Sequence, residues 1–200
     1  MRVADGAPVP HRLRVLALPP LAFGFAASLA ERLSRNLRMP VQLETEPMAP
    51  EPVRVPGRDQ WDARRLLEDL EARPLAQGEL RLAVTAHDLA VPVFSFVFGL
   101  ARERQSVALV SLARLDPSFY GLPPDPARTL TRTLGEALHE LGHLAGLAHC
   151  GEAECLMRFA GTLDKADARG SVYCVDCRAR LPSWFSASPR PALEKKGNQT

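Results

Sequence analysis

A chain of 200 residues, 46% apolar and 24% charged, has the size and composition of one ordinary domain able to bury a core of its own. That excludes a fully disordered or low-complexity protein, and a formal net charge of +2 argues against wholesale electrostatic capture by nucleic acid. No run reaches the roughly 18 apolar residues of a membrane span, so neither a membrane nor nucleic acid is expected as a partner.

Residues 1–10 read as a loose arm, and 12–18 (RLRVLAL) as a largely apolar strand suited to the inside of a sheet. The stretch 15–30 is similar to a secretion signal, but Phe25, Leu29, Leu33 and Leu37 continue at four-residue spacing through a charged stretch. That is one face of an amphipathic helix over 21–37, opened by Pro19-Pro20, and the protein is expected in the cytoplasm. A second strand is predicted over 41–46, followed by irregular, proline-rich chain over 47–57. Asp59 is a candidate cap for a helix over 60–72, with Trp61, Leu66, Leu67 and Leu70 inward. Strands follow at 79–85, 93–99 and 106–112, the last two as a possible hairpin. The alternation of strands and helices predicts an α/β fold with a mostly parallel sheet.

A long helix comes next, with Asp125 as its cap and Pro126 in its first turn. Leu130, Leu134, Leu138, Leu141 and Ala145 share one side of it, and His139 and His143 lie roughly opposite. Past Leu147 the chain reads as irregular and carries all four cysteines. The expected organisation is a single domain over 1–185, stapled through about 150–182, with a disordered tail at 186–200. His11 and His87 are isolated, and Trp61 and Trp184 read as packing residues.

The segment HELGHLAGLAHC, residues 139–150, carries the chemistry. His139 and His143 project from one helix face a turn apart and can share one metal ion. Gly146 can take the left-handed conformation that ends the helix and returns His149 toward the same ion. Three neutral histidines leave a zinc ion its full charge and an open coordination position, and Glu140, beside the first ligand, can serve as general base. The chemistry this predicts is hydrolysis, foremost of a peptide bond. The alternative is a non-catalytic, zinc-stabilised interaction module whose three-histidine site is vestigial. Glu140 speaks against it, because a structural site gains nothing from an unbound carboxylate.

Cys150 and Cys155 are followed by Cys174 and Cys177 in a C-x-x-C pair. Four thiolates around a structural zinc is the leading reading, with backbone N–H groups aimed at the sulfurs of the knuckle. Two disulfides, or a redox pair at Cys174 and Cys177, are the alternatives. His149 and Cys150 are adjacent, and neighbouring residues of extended chain point to opposite sides, so one metal can lie on each side of this strip.

Taken together, HELGHLAGLAHC, Cys155, Met157, Cys174 and Cys177 resemble the archaemetzincin family of zinc metallopeptidases, of the metzincin clan. The resemblance extends over about 11–180, through VPVFSFVFGLA and SVALVSLARLDPSFYG. It implies His139, His143 and His149 as ligands of a catalytic zinc, Glu140 as general base, and Cys150, Cys155, Cys174 and Cys177 as ligands of a structural zinc. It also implies Met157 as the methionine of a tight turn beneath the catalytic zinc. The spacer from Met157 to Cys174 is one residue shorter than the family pattern. The fold implied is a zincin-like, mostly parallel five-stranded sheet with one antiparallel edge strand, matched to 93–99, which would hold extended substrate by backbone pairing. A monomer acting on a peptide or protein substrate, with two zinc ions per chain, is the corresponding expectation.

Overall fold

The computed structural model describes residues 9–37, 39–45, 54–103 and 105–185. The expected tail at 186–200, most of the arm at 1–10 and part of the proline-rich stretch lie outside these residues.

The main sheet is built from β1 (Arg12–Leu18), β2 (Val41–Thr45), β4 (Glu79–Thr85), β7 (Gly99–Ala101) and β8 (Val107–Ser111), in the order β2-β1-β4-β8-β7. Every pairing is parallel except that of β7 with β8. A mostly parallel sheet with one antiparallel edge is thus present. Its central strands are apolar because both faces are covered. Leu13 and Val15 of β1, Leu80, Leu82 and Val84 of β4, and Ala108 and Val110 of β8 face α1 (Phe23–Asn36) and α3 (Pro126–Leu144). Leu16, Leu18, Ala83, Val107 and Leu109 point the other way, into a second cluster with α2 (Ala63–Ala72). The two-residue side-chain period divides each strand between two cores.

Strand β4 is buried throughout, including Glu79 and Arg81. Each charge is met: Arg14 donates to Glu79 at 2.8 Å, and Arg81 donates to the carbonyls of Leu70 and Pro74 at 2.8 and 2.7 Å. The latter places a cation at the C-terminal end of α2, the favourable end of the helix dipole.

The segment 93–99 departs from expectation. It is two strands, not one: β6 (Phe94–Val97) pairs antiparallel with β5 (Leu89–Val91), in a small sheet that also holds β3 (Trp61–Asp62). The antiparallel edge of the main sheet is β7, so the edge strand expected at 93–99 lies at Gly99–Ala101 instead. The chain changes sheets at Phe98, whose carbonyl accepts from Ser111 N–H at 2.8 Å. Side-chain alternation tells which residues share a face, but not which neighbouring backbone takes their hydrogen bonds. The cap of α2 is also displaced. Gln60 and Trp61 are drawn toward the small sheet, and Asp62, not Asp59, accepts from Arg64 and Arg65 N–H at 3.0 and 3.2 Å. Asp59 pairs with Arg54.

Helix α3 starts as expected, with Asp125 accepting from Arg128 N–H at 2.9 Å and Pro126 in the first turn. Its leucine side packs on the sheet and α1, while its opposite side faces a cavity under β7.

Candidate active site

The end of α3 is closed by a Schellman turn. Leu147 N–H reaches Gly142 carbonyl at 3.0 Å, Gly146 N–H reaches His143 carbonyl at 2.8 Å, and Gly146 has φ +90°. A side chain at that φ would meet its own carbonyl, so glycine fits the position. The turn swings the chain back and brings His149 beside the two helical histidines. The three ring centroids are 4.8 to 5.3 Å apart, and one ligand atom from each ring lies within 4.8 Å of the others.

Which ring nitrogen faces the centre follows from the hydrogen bonds. Nδ1 of His139 lies 2.8 Å from the Leu156 carbonyl, and Nδ1 of His143 lies 2.7 Å from the Leu147 carbonyl. A carbonyl only accepts, so both Nδ1 atoms carry the proton and both Nε2 atoms keep a free lone pair. Burial also disfavours the imidazolium, bringing His139 down to about 4, with Arg169 adding to the effect and Glu136 opposing it. Burial lowers His143 and His149 as well. Three neutral imidazoles, two of them in the metal-binding tautomer, fit one zinc ion.

Glu140 is buried at the wall of a cavity of about 710 Å3, next to His139 and His143. Strand β7 passes directly over it. A Cβ on Gly99 would stand 2.6 Å from Glu140 Oε1, so glycine at this edge is what gives the carboxylate its space. Burial, then the neighbouring Glu136 carboxylate, holds Glu140 well above the usual carboxylate range in the metal-free chain. A divalent cation alongside acts in the opposite direction.

Met157 is fully buried in a tight turn between Cys155 and Arg158, where Arg158 N–H reaches Cys155 carbonyl at 3.0 Å. Its sulfur packs against α3 at Gly142: a Cβ there would come within 2.6 Å of Sδ. Tyr173 braces the same spot and donates to the Leu138 carbonyl at 2.6 Å.

The four cysteines converge in a second group that begins at the residue after His149, with one sulfur from each within 4.8 Å of the others. All four are free thiols, and Cys150 and Cys174 sulfurs are 3.9 Å apart. That is close to the edge of a tetrahedron built on zinc–sulfur bonds of about 2.3 Å and far from a disulfide of about 2.05 Å. Met157 and Cys174 N–H groups point at Cys155 sulfur, both at 3.4 Å, and Cys177 N–H points at Cys174 sulfur at 3.5 Å. The N–H group of Cys177 lowers the Cys174 thiol, while burial raises Cys155 and Cys177.

Sequence reasoning missed Glu136 and Arg169. Glu136 precedes His139 and Glu140 by the helical offsets that give a shared face, and this spacing was a readable signal. Arg169, from a distant segment, carried none. It donates to Glu136 at 2.7 Å and also lines the cavity. Nor did the sequence mark Phe94 and Phe159, whose half-exposed rings meet at 6.0 Å along the cavity mouth.

Comparison with known proteins agrees with this geometry. The model of Peptidase family M54 matches residues 66–183. An archaemetzincin of Aeropyrum pernix is 34% identical over 172 residues, 80% of this chain and 90% of that one. An archaemetzincin of Pyrococcus horikoshii is 39% identical over 125 residues, 62% of this chain and 66% of its own, so the matched stretch spans just under two thirds of that relative. Among solved structures, a zinc-dependent peptidase from Methanocorpusculum labreanum superposes with a TM-score of 0.76 at 31% identity, covering 85% of this chain and 100% of that one. By the breadth of these matches, the chain belongs to peptidase family M54.

Proposed function

We propose that this protein is a zinc-dependent metallopeptidase with one catalytic and one structural zinc site. The observation that carries the reading is the pair of carbonyl-bound Nδ1 atoms, which turn the Nε2 atoms of His139 and His143 toward His149, beside Glu140 and an open cavity. His139, His143 and His149 would hold the catalytic ion, and Cys150, Cys155, Cys174 and Cys177 the structural one. When bound, the catalytic zinc would supply Lewis acidity for the scissile carbonyl and the attacking water.

Glu140 takes the proton of the water as it attacks and returns it to the leaving amine. Gly99, Leu100 and Ala101 pair with β8 along one side only, and their other edge lies over the cavity. An extended peptide would add to that edge by backbone hydrogen bonds and so carry its carbonyl past Glu140. Met157 gives the histidines a packed floor and binds no ion.

The domain assignment over 1–185, the stapling of 150–182 and a cytoplasmic monomer acting on peptides or proteins belong to the same reading. Four free thiols gathered in one cluster suit a reducing compartment. Among the described residues, no helix is long and apolar enough to cross a membrane.

The test is metal content together with hydrolysis. The purified protein should hold two zinc ions per chain and cleave members of a peptide library in a chelator-sensitive manner. Two bound zinc ions with no cleavage across the library would overturn the peptidase reading.

A further inference from the structure

The cavity wall holds an ion pair that the hydrolytic reading leaves without a task. The side chains of Arg169 and Glu136 are 4% and 7% exposed and meet at 2.7 Å. Glu136 is on α3 and lines the same cavity as the three histidines. Standing three residues before His139 and four before Glu140, it has its carboxylate on the ligand-bearing face. A carboxylate is itself a competent zinc ligand, at about 2.0–2.2 Å. A fourth protein ligand would fill the coordination position that separates catalytic from structural sites.

The partner that engages Glu136 comes from a fixed point. Arg169 directly follows α4 (Leu163–Ala168), and that short helix is tied to α3 by Asp167, which accepts from Arg132 Nε at 2.7 Å. Arg132 is anchored in turn, donating to the Leu115 carbonyl at 2.9 Å. On the other flank the backbone at Gly170 is pressed against the chain: a Cβ there would overlap the Glu154 carbonyl oxygen at 1.6 Å. The two bridges run in opposite senses, Arg132 to Asp167 and Arg169 to Glu136, one helical turn apart along α3. The second guanidinium nitrogen of Arg169 lies 3.1 Å from His139 Nδ1, whose proton is directed to the Leu156 carbonyl. A guanidinium accepts no hydrogen bond, so this is a packing contact that fixes where Arg169 stands.

We propose that Arg169 is a positioning residue that keeps the Glu136 carboxylate off the metal and so keeps the three-histidine site open. The inference rests on the reading of those histidines as a zinc centre. Its test is Arg169→Met in the full chain, with the cysteine site filled by zinc and cobalt(II) loaded at the histidines. The visible cobalt bands of the variant should change position relative to the parent as a carboxylate takes the open coordination position, while zinc retention at the histidines is undiminished. Hydrolysis should fall by at least about tenfold, the usual scale for partners of metal ligands. Adding Glu136→Gln should restore both the spectrum and the rate, and Arg169→Lys, which still holds the carboxylate, should match the parent.

A parental spectrum in Arg169→Met, a double variant no better than the single one, or zinc lost from the histidines would overturn the proposal. If Arg169→Met does not fold, Arg169→Gln gives the same comparison with a neutral donor, and failure of both assigns the residue to stability alone. The spectrum needs no substrate. A parent without peptidase activity would therefore overturn the hydrolytic reading and leave this one to be decided by cobalt.

Discussion

The histidine cluster and the cysteine cluster share a pair of adjacent residues, His149 in one and Cys150 in the other, yet they are held together in different ways. Two of the three imidazoles belong to a 19-residue helix that packs on the sheet through its apolar side. Carbonyls of Leu147 and Leu156 fix those rings from behind, and the front faces an open cavity. The four sulfurs sit in short turns and at the start of a six-residue helix, α5 (Val175–Arg180). Backbone N–H groups point at two of them, Cys155 and Cys174, and such donors suit thiolates. A site that must leave a position vacant needs a scaffold that is rigid by itself. A closed site can take its order from the ion it encloses.

The largest effect that would sharpen this contrast is expected from Cys155→Ser, at a fully buried sulfur. Structural zinc contributes folding free energy directly, so the variant should lose one zinc per chain and the order of the region about 150–182, read as lowered thermal stability and rapid proteolytic nicking there. Retention of two zinc ions and parental stability would deny the cluster its stapling role.

Glu140→Ala should leave both ions bound and the fold unchanged while hydrolysis falls by about 10²–10⁴-fold, the usual worth of general-base assistance. His143→Ala should lose the ion as well as the activity. Parental rates in Glu140→Ala would withdraw the base assignment.

Acid should distinguish the clusters too. His139 is neutral in the folded, metal-free chain down to about 4, against 6.5 when unfolded. Between those values the unfolded chain binds more protons, so this histidine's contribution is full above 6.5 and is lost as the pH falls toward 4. Denaturant titrations of chelator-treated protein should show stability declining across that window, and a flat profile would contradict a buried neutral imidazole.

Smaller effects are expected at the glycines that let the two regions meet. Gly142→Ala would push a methyl toward Met157 Sδ at 2.6 Å and Tyr173 Cε1 at 3.2 Å. Overpacking of this kind costs about 1–3 kcal/mol, toward the lower end where a methionine can yield, and calorimetry would read it. Gly146→Ala places a Cβ at φ +90° and should cost about 1–2 kcal/mol, with reduced zinc affinity because the Leu147 carbonyl that orients His143 moves with the turn. Unchanged affinity would show that the turn delivers His149 without tuning His143.

Much of this molecule can be read along the chain, wherever the determining interactions are local. The i, i+4 histidines, the Asp125 cap, the Gly146 turn and the C-x-x-C pair depend on helix and turn geometry over a few residues, and the structure brings all seven metal-ligand candidates into two groups. The apolar run of β1 marked a strand inside the sheet, and the structure covers both faces of β4 and β8 as well. What sequence left undecided depends on partners far away along the chain. Whether Phe94 to Ala101 forms one strand or two is settled by which edge offers free hydrogen bonds, and the answer divides it between β5 and β8. Arg169 reaches Glu136 only because α4 is clamped to α3, and Gly99 matters only because β7 crosses Glu140. Local stereochemistry supplied the ligands; long-range packing decided what stands next to them, because contacts between distant segments leave no spacing in the sequence to read.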